Sequence, residues 1–251
     1  VLVRRAFVRE EKISDAERKE WPFTVPCVDG LIGRGLEFTS PITVLVGENG
    51  SGKSTVVEAL AEAFGLDSHG GRAGRKYGNN RPKTPLGDVL EIELTAAGAR
   101  MKRARRSKQK GFFLRAETAF GLMSVVSGMP GYWDEDTTIL SHGEGFLTVF
   151  DSMFSSPGLY IMDEPEAPLS FTSCLRLIGL MHELAESGAQ IIFATHSPLL
   201  ASTPGADIVE VGEHGIRRVD WEDLDVVDHW RRYLNNPHAY LRHVVEPPTD
   251  Q

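Results

Sequence analysis

Three short apolar runs stand out along the chain: ITVLV at 42–46, GLYIMDE at 158–164 and QIIFATH at 190–196. They are rich in β-branched residues and bounded by Gly, Pro or polar residues, the profile of strands buried on both faces of a parallel sheet. VLVRRAF at the start also reads as a strand, and VLEIELT at 89–95 alternates with the period of one. DIVEVG and GIRRVD predict a hairpin about Glu213-His214-Gly215. Between these runs the period lengthens to that of a helix. Val56, Val57, Leu60 and Phe64 form a stripe over 53–64, and Cys174, Ile178, Met181 and Ala185 form another, with Leu177 and Leu184 beside it. Residues 113–127, FLTVFDSMF (146–154) and most of 223–245 also predict helix, the last broken near Asn235-Asn236-Pro237. Residues 10–22 are a polar excursion, and 65–87, rich in Gly, Asn, Pro and Arg, predict a long loop. Strand alternating with helix points to an α/β fold with a largely parallel sheet.

Composition narrows this little. The 251 residues suit one large domain, or at a stretch two small ones, with a core big enough to need no disulfide or metal staple. Cys27 and Cys174 are far apart and belong to no CxxC pair, so neither a zinc site nor a disulfide framework is expected, and a reducing, cytoplasmic setting is. No apolar run approaches the roughly 18 residues of a membrane span, so direct membrane insertion is not expected, and the charged start does not resemble a signal peptide. The net charge of −8 is uneven. The stretch from Arg100 to Lys110 holds seven bases and no acid, against 20 bases and 35 acids elsewhere. That run is a candidate phosphate-tracking patch for nucleic acid. The blander reading, a solvated strand-loop on an otherwise acidic protein, is preferred.

The chemistry begins at GENGSGKST. Gly47, Glu48, Asn49, Gly50, Ser51, Gly52, Lys53, Ser54 and Thr55 fit GxxxxGK[ST], placed after a buried strand and before a helix. Glycines let backbone N–H groups close around phosphate oxygens, and the helix N-terminus adds partial positive charge. Lys53 would reach the β- and γ-phosphates of a nucleotide, Ser54 would ligate Mg²⁺, and Thr55 would help hold the α-phosphate. In LYIMDEPE, apolar residues deliver Asp163 and Glu164 to the C-terminal end of a strand, where α/β sites lie. Adjacent acids there face opposite ways, so two roles are expected: Asp163 for Mg²⁺, Glu164 as the base that activates water. QIIFATHSP ends in His196, a candidate γ-phosphate sensor. Ser141 and Gly143 in LSHGEG precede a predicted helix and could bind phosphate at its N-terminus.

The ordered set GENGSGKST, LSHGE, YIMDEPE and ATHSP resembles the nucleotide-binding domain of the ABC ATPase superfamily, and more closely its soluble RecF- and SMC-like branch of small stand-alone AAA-family ATPases. The resemblance implies a two-lobed P-loop NTPase domain over 1–251. Its α/β lobe, with a parallel core and an antiparallel portion, would take about 1–112 and 157–251, and a small helical lobe about 113–156. It implies that Ser141, Gly143 and Glu144 form the signature motif that contacts ATP held by the opposite subunit, hence an ATP-dependent homodimer. EAPLS (166–170) falls at the D-loop. Glu117, or else Arg115, falls where a Q-loop residue would couple Mg²⁺ and water to the helical lobe. Phe7, Trp21 and Phe23 are the candidates for stacking on adenine. Ser141 lies only 24 positions after Glu117, too close for a coiled coil or a large transporter-coupling subdomain. A soluble ATP-driven switch is therefore the main expectation, and the ATP-binding subunit of an ABC transporter the alternative.

Overall fold

The computed structural model describes residues 1–68, 70–73, 82–105, 109–116, 147, 150, 154 and 156–245. Among them the strands form two sheets. The larger contains β3 (Ile42–Val46), β4 (Gly71–Arg72), β6 (Gly111–Arg115), β7 (Leu159–Asp163), β8 (Gln190–Thr195), β9 (Asp207–Gly212) and β10 (Gly215–Arg218). Its order is β10-β9-β3-β8-β7-β6-β4. The five central strands run parallel, and the two outer ones join antiparallel. The smaller sheet is antiparallel: β2 (Leu36–Glu37), β1 (Val3–Val8) and β5 (Leu90–Leu94), with β1 in the middle.

The apolar runs become central strands because each has two faces to bury. In β7, Leu159 and Ile161 face one core while Tyr160 and Met162 face the other; in β8, Ile192 and Ala194 oppose Ile191 and Phe193. The first core lies between the larger sheet, the smaller sheet and α2 (Lys53–Phe64), whose predicted stripe of Val56, Val57, Leu60 and Phe64 is buried in it. The second is covered by α5 (Phe171–Glu186), α6 (Pro198–Ala201) and α7 (Asp225–Asn235). The buried line of α5 is Cys174, Leu177, Met181 and Leu184; Ile178 and Ala185 of the predicted stripe are only partly covered. One buried amide ties the sheets together. Gln190 accepts from the N–H groups of Leu2 and Val3, both at 2.7 Å, and donates to the Val3 carbonyl at 3.0 Å.

Three expectations need correction. Residues 113–115, expected to open a helix and the helical lobe, belong to β6 in the middle of the parallel array. The continuous run Phe112, Phe113, Leu114 fits a strand covered on both sides, and a short apolar run has no period by which to tell the two apart. The predicted loop 65–87 contains the edge strand β4 and the start of α3 (Pro85–Val89), capped by Thr84. The first part of the basic run is helical. It lies in α4 (Ala96–Arg103), where Thr95 accepts from the Gly98 N–H as N-cap and Arg100, Lys102 and Arg103 fill the last turn. The chain closes with α7 and α8 (Pro237–Val245), broken at Asn236 as the sequence predicts.

Candidate functional site

The C-terminal ends of β3, β8 and β7 meet at one place, and the loop after each supplies part of the site. The loop after β3 is built around missing side chains. A Cβ on Gly47 would sit 2.2 Å from the Val211 carbonyl oxygen of β9. A Cβ on Gly52, whose φ is +95°, would sit 2.5 Å from the Cys27 Sγ. Gly50 also takes a positive φ, at +83°, in open space. Within the loop the Ser51 N–H donates to the Glu48 carbonyl at 3.2 Å, and the Ser51 hydroxyl is buried without a partner.

Lys53 opens α2 and is 3% exposed. Its ammonium donates to the carbonyls of Gly47 and Glu48, both at 2.7 Å, which curls the loop over it and leaves one N–H to offer. Burial lowers the pKa of Lys53, opposed in turn by the charges of Glu164, Asp163 and Glu166. One helical position further, the Ser54 hydroxyl donates to Asp163 Oδ1 at 3.0 Å. Asp163 ends β7 on the face shared by Leu159 and Ile161, which is why it meets α2. Arg115, its register partner at the end of β6, lies 3.8 Å from Asp163 Oδ2 and 3.3 Å from Glu58 of α2.

Glu164 leaves the strand with φ 49°, a left-handed conformation uncommon outside glycine and concentrated at functional sites. Its N–H still donates to the Ala194 carbonyl at 2.9 Å, so the turn begins as the ladder ends. Its carboxylate lies 3.6 Å from His196 Nδ1, as does that of Glu166. Sequence reasoning put Glu166 only within a D-loop segment. In the fold it is a buried carboxylate against His196, and its partners, 29 and 30 residues away, left no local signal. A cavity of about 780 Å³ adjoins the crown of the loop, with Asn49, Ser51, His196, His229 and Trp230 in its wall.

Lys53, Ser54, Asp163, Glu164 and His196 are thus brought together. Thr55 follows Ser54 in the first turn of α2. Glu117, Ser141, Gly143 and Glu144 lie outside the described residues. Of the adenine-stacking candidates, Phe23 is buried in the first core and Phe7 lies under the Arg5 guanidinium, 4.6 Å from the ring centre. Trp21 is 63% exposed. The set suits Mg²⁺, a hard cation that takes one or two protein oxygens beside phosphate and water: Ser54 and Asp163 offer a hydroxyl and a carboxylate oxygen side by side.

Two sequence families match the chain. One described as "AAA domain" covers residues 33–118, and one described as "AAA domain, putative AbiEii toxin, Type IV TA system" covers 100–202. Named relatives include ABC transporter G family member 6 of Arabidopsis thaliana, 27% identical over 79% of this chain and 30% of its own. Another is the ribose import ATP-binding protein RbsA 1 of Burkholderia ambifaria, 28% identical over 69% of this chain and 37% of its own. The chain therefore spans about a third of the relatives it matches. The solved SMC head domain from Thermotoga maritima aligns with 88% of the chain at 16% identity and a TM-score of 0.49. With the α/β topology and the loop after β3, the two family matches and the named relatives make the chain an ATP-binding P-loop ATPase domain of AAA/ABC type.

Proposed function

We propose that the chain hydrolyses ATP at the junction of β3, β7 and β8 and uses the cycle to close and open a pair of subunits. The observation that carries this is the bond from Ser54 to Asp163, across 109 residues of sequence, beside the buried ammonium of Lys53. A triphosphate accepts the Lys53 N–H that the Gly47 and Glu48 carbonyls leave free, and the backbone N–H groups of 47–52 close on its oxygens. Mg²⁺, held by Ser54 and Asp163, would neutralise the phosphate oxygens. Glu164, aimed by its left-handed backbone and not involved in holding the ion, takes the proton of the attacking water. His196 beside it contacts the γ-phosphate and registers its departure. Trp21, the exposed one of the three candidate aromatics, stacks on the adenine. Ser141, Gly143 and Glu144 complete the site of a second copy, so closure depends on bound ATP.

The relatives favour a client in a membrane: the matched proteins are ABC transporter G family members and a ribose import ATP-binding protein. A transporter-type ATP-binding subunit is accordingly the first reading. Among the described residues no helix is long and apolar enough to cross a membrane. The second reading, a soluble RecF- or SMC-like switch, is favoured by the offset of only 24 positions from Glu117 to Ser141, which leaves little room for a coupling subdomain. Affinity capture from detergent-solubilised cells separates them. A stoichiometric integral-membrane partner supports the first reading. Its absence, together with ATPase stimulation by DNA or RNA through the Arg100–Lys110 patch, supports the second.

A further inference from the structure

We propose that Glu166 is the positioning residue of this site: it clamps the turn that carries His196 to the end of β7, so that His196 and Glu164 face each other. The inference rests on the ATPase reading above.

The β7–β8 ladder ends with Asp163 opposite Ala194 and a last bond from the Glu164 N–H. Past that point β7 and β8 share no ladder, although Thr195 still lies opposite Val46 of β3, and the side chain of Glu166 joins the end of β8 to the turn after β7. Its Oε1 accepts from the Thr195 hydroxyl and, at 3.1 Å, from the His196 N–H. The Thr195 Oγ in turn accepts from the Ser197 N–H at 2.9 Å. Three consecutive residues of the turn thus hang on one carboxylate oxygen. The other oxygen, Oε2, is buried without a partner, on a side chain that is 8% exposed.

A buried carboxylate with an idle oxygen is a costly way to hold a turn, which a neutral amide would hold as well. What the charge adds lies at His196 Nδ1, which has a carboxylate oxygen of Glu164 and one of Glu166 each at 3.6 Å. Two anions at that nitrogen favour a hydrogen on Nδ1, which fixes the tautomer and presents Nε2 on the opposite edge of the ring. Glu166 therefore sets both the place of His196 and the edge it offers, without touching the nucleotide.

The test compares wild type, Glu166→Ala, His196→Ala and the double variant for phosphate release and for binding of a fluorescent ATP analogue. Loss of the clamp lowers kcat by about 10²-fold, the scale of an ångström misplacement, with affinity changed less than about threefold. Because Glu166 acts through His196, Glu166→Ala adds less than about threefold to His196→Ala. Glu166→Gln, which keeps an acceptor for the turn, recovers about tenfold or more of the Ala loss. Losses that multiply in the double variant, or rate and affinity falling together without recovery by Gln, would overturn the proposal. The ¹⁵N spectrum of the His196 ring in wild type and Glu166→Gln gives an answer that needs neither the Ala variant nor turnover. A hydrogen on Nδ1 in the wild type that is displaced in the Gln variant supports the clamp, and identical tautomers in the two reject it. A protein that passes this test yet releases no phosphate counts against the ATPase reading alone.

Discussion

Lys53 sits in an environment that suits a bound anion better than an empty loop. Burial depresses its pKa, and its neighbours only partly restore it. Lys53→Ala should lower phosphate release by about 10²-fold or more, the scale of removing a donor aimed at developing charge, and weaken ATP binding in a filter assay. Gly52 is the more telling loop residue. A methyl group there meets the Cys27 sulfur in a backbone conformation that L-residues avoid, so Gly52→Ala should lose about 1–3 kcal/mol in denaturant titrations and lose ATP affinity with it. Cys27 itself is pushed up to about 11 by burial. A thiol whose pKa is raised on folding stabilises the fold below its unfolded value, near 9, and that contribution is lost as pH climbs towards 11. Thermal melts at pH 8.5 and 10.5 should therefore show a larger drop for wild type than for Cys27→Ala, and the thiol should resist alkylation at pH 8 until the protein unfolds.

At the scale of elements, what the sequence disclosed depended on whether a segment carries its own period or punctuation. The strand 42–46 and the helix 53–64 stand where they were read, because a Pro, a Gly-rich loop and a 3.6-residue stripe mark their limits. The strand 111–115 went unread because Phe112, Phe113 and Leu114 are buried on both faces and so show no alternation. The helix 96–103 was hidden by its charge, although Thr95 three residues before Gly98 is an ordinary N-cap signal. In the site, Lys53, Ser54, Asp163, Glu164 and His196 were legible because each lies in a short motif. Glu166 was not, since its meaning depends on a strand 29 residues away. Gln190 is the corresponding long-range element of the fold. Gln190→Leu removes three buried hydrogen bonds, to the N–H groups of Leu2 and Val3 and to the Val3 carbonyl. It should cost roughly 2–4 kcal/mol, read as a lower urea midpoint with unchanged slope. Nucleotide affinity should persist below the melting range.

For the whole molecule, closure around ATP predicts a change of mass. Glu164→Gln keeps the size and polarity of the base while removing its proton-accepting charge, so it should bind Mg-ATP and stall before hydrolysis. Light scattering should show its mass doubling with Mg-ATP and returning to that of one chain when Mg²⁺ is chelated; an unchanged mass would remove the paired-subunit part of the proposal. The charge distribution sets the second question at this scale. Outside the Arg100–Lys110 run the chain carries 35 acids against 20 bases, so any polyanion approaching it is steered to that one run. On α4 the bases also complement the helix C-terminus, a local use that needs no polyanion.

The contact between Gly47 and the Val211 carbonyl has a mechanical consequence. With no room for even a methyl group between them, the root of the phosphate loop and the tip of the β9–β10 hairpin are in effect one solid piece. A dye on Glu213, exposed at that tip, should brighten or dim as the cradle fills and empties. Whatever docks on the hairpin would feel each turn of the cycle as a push.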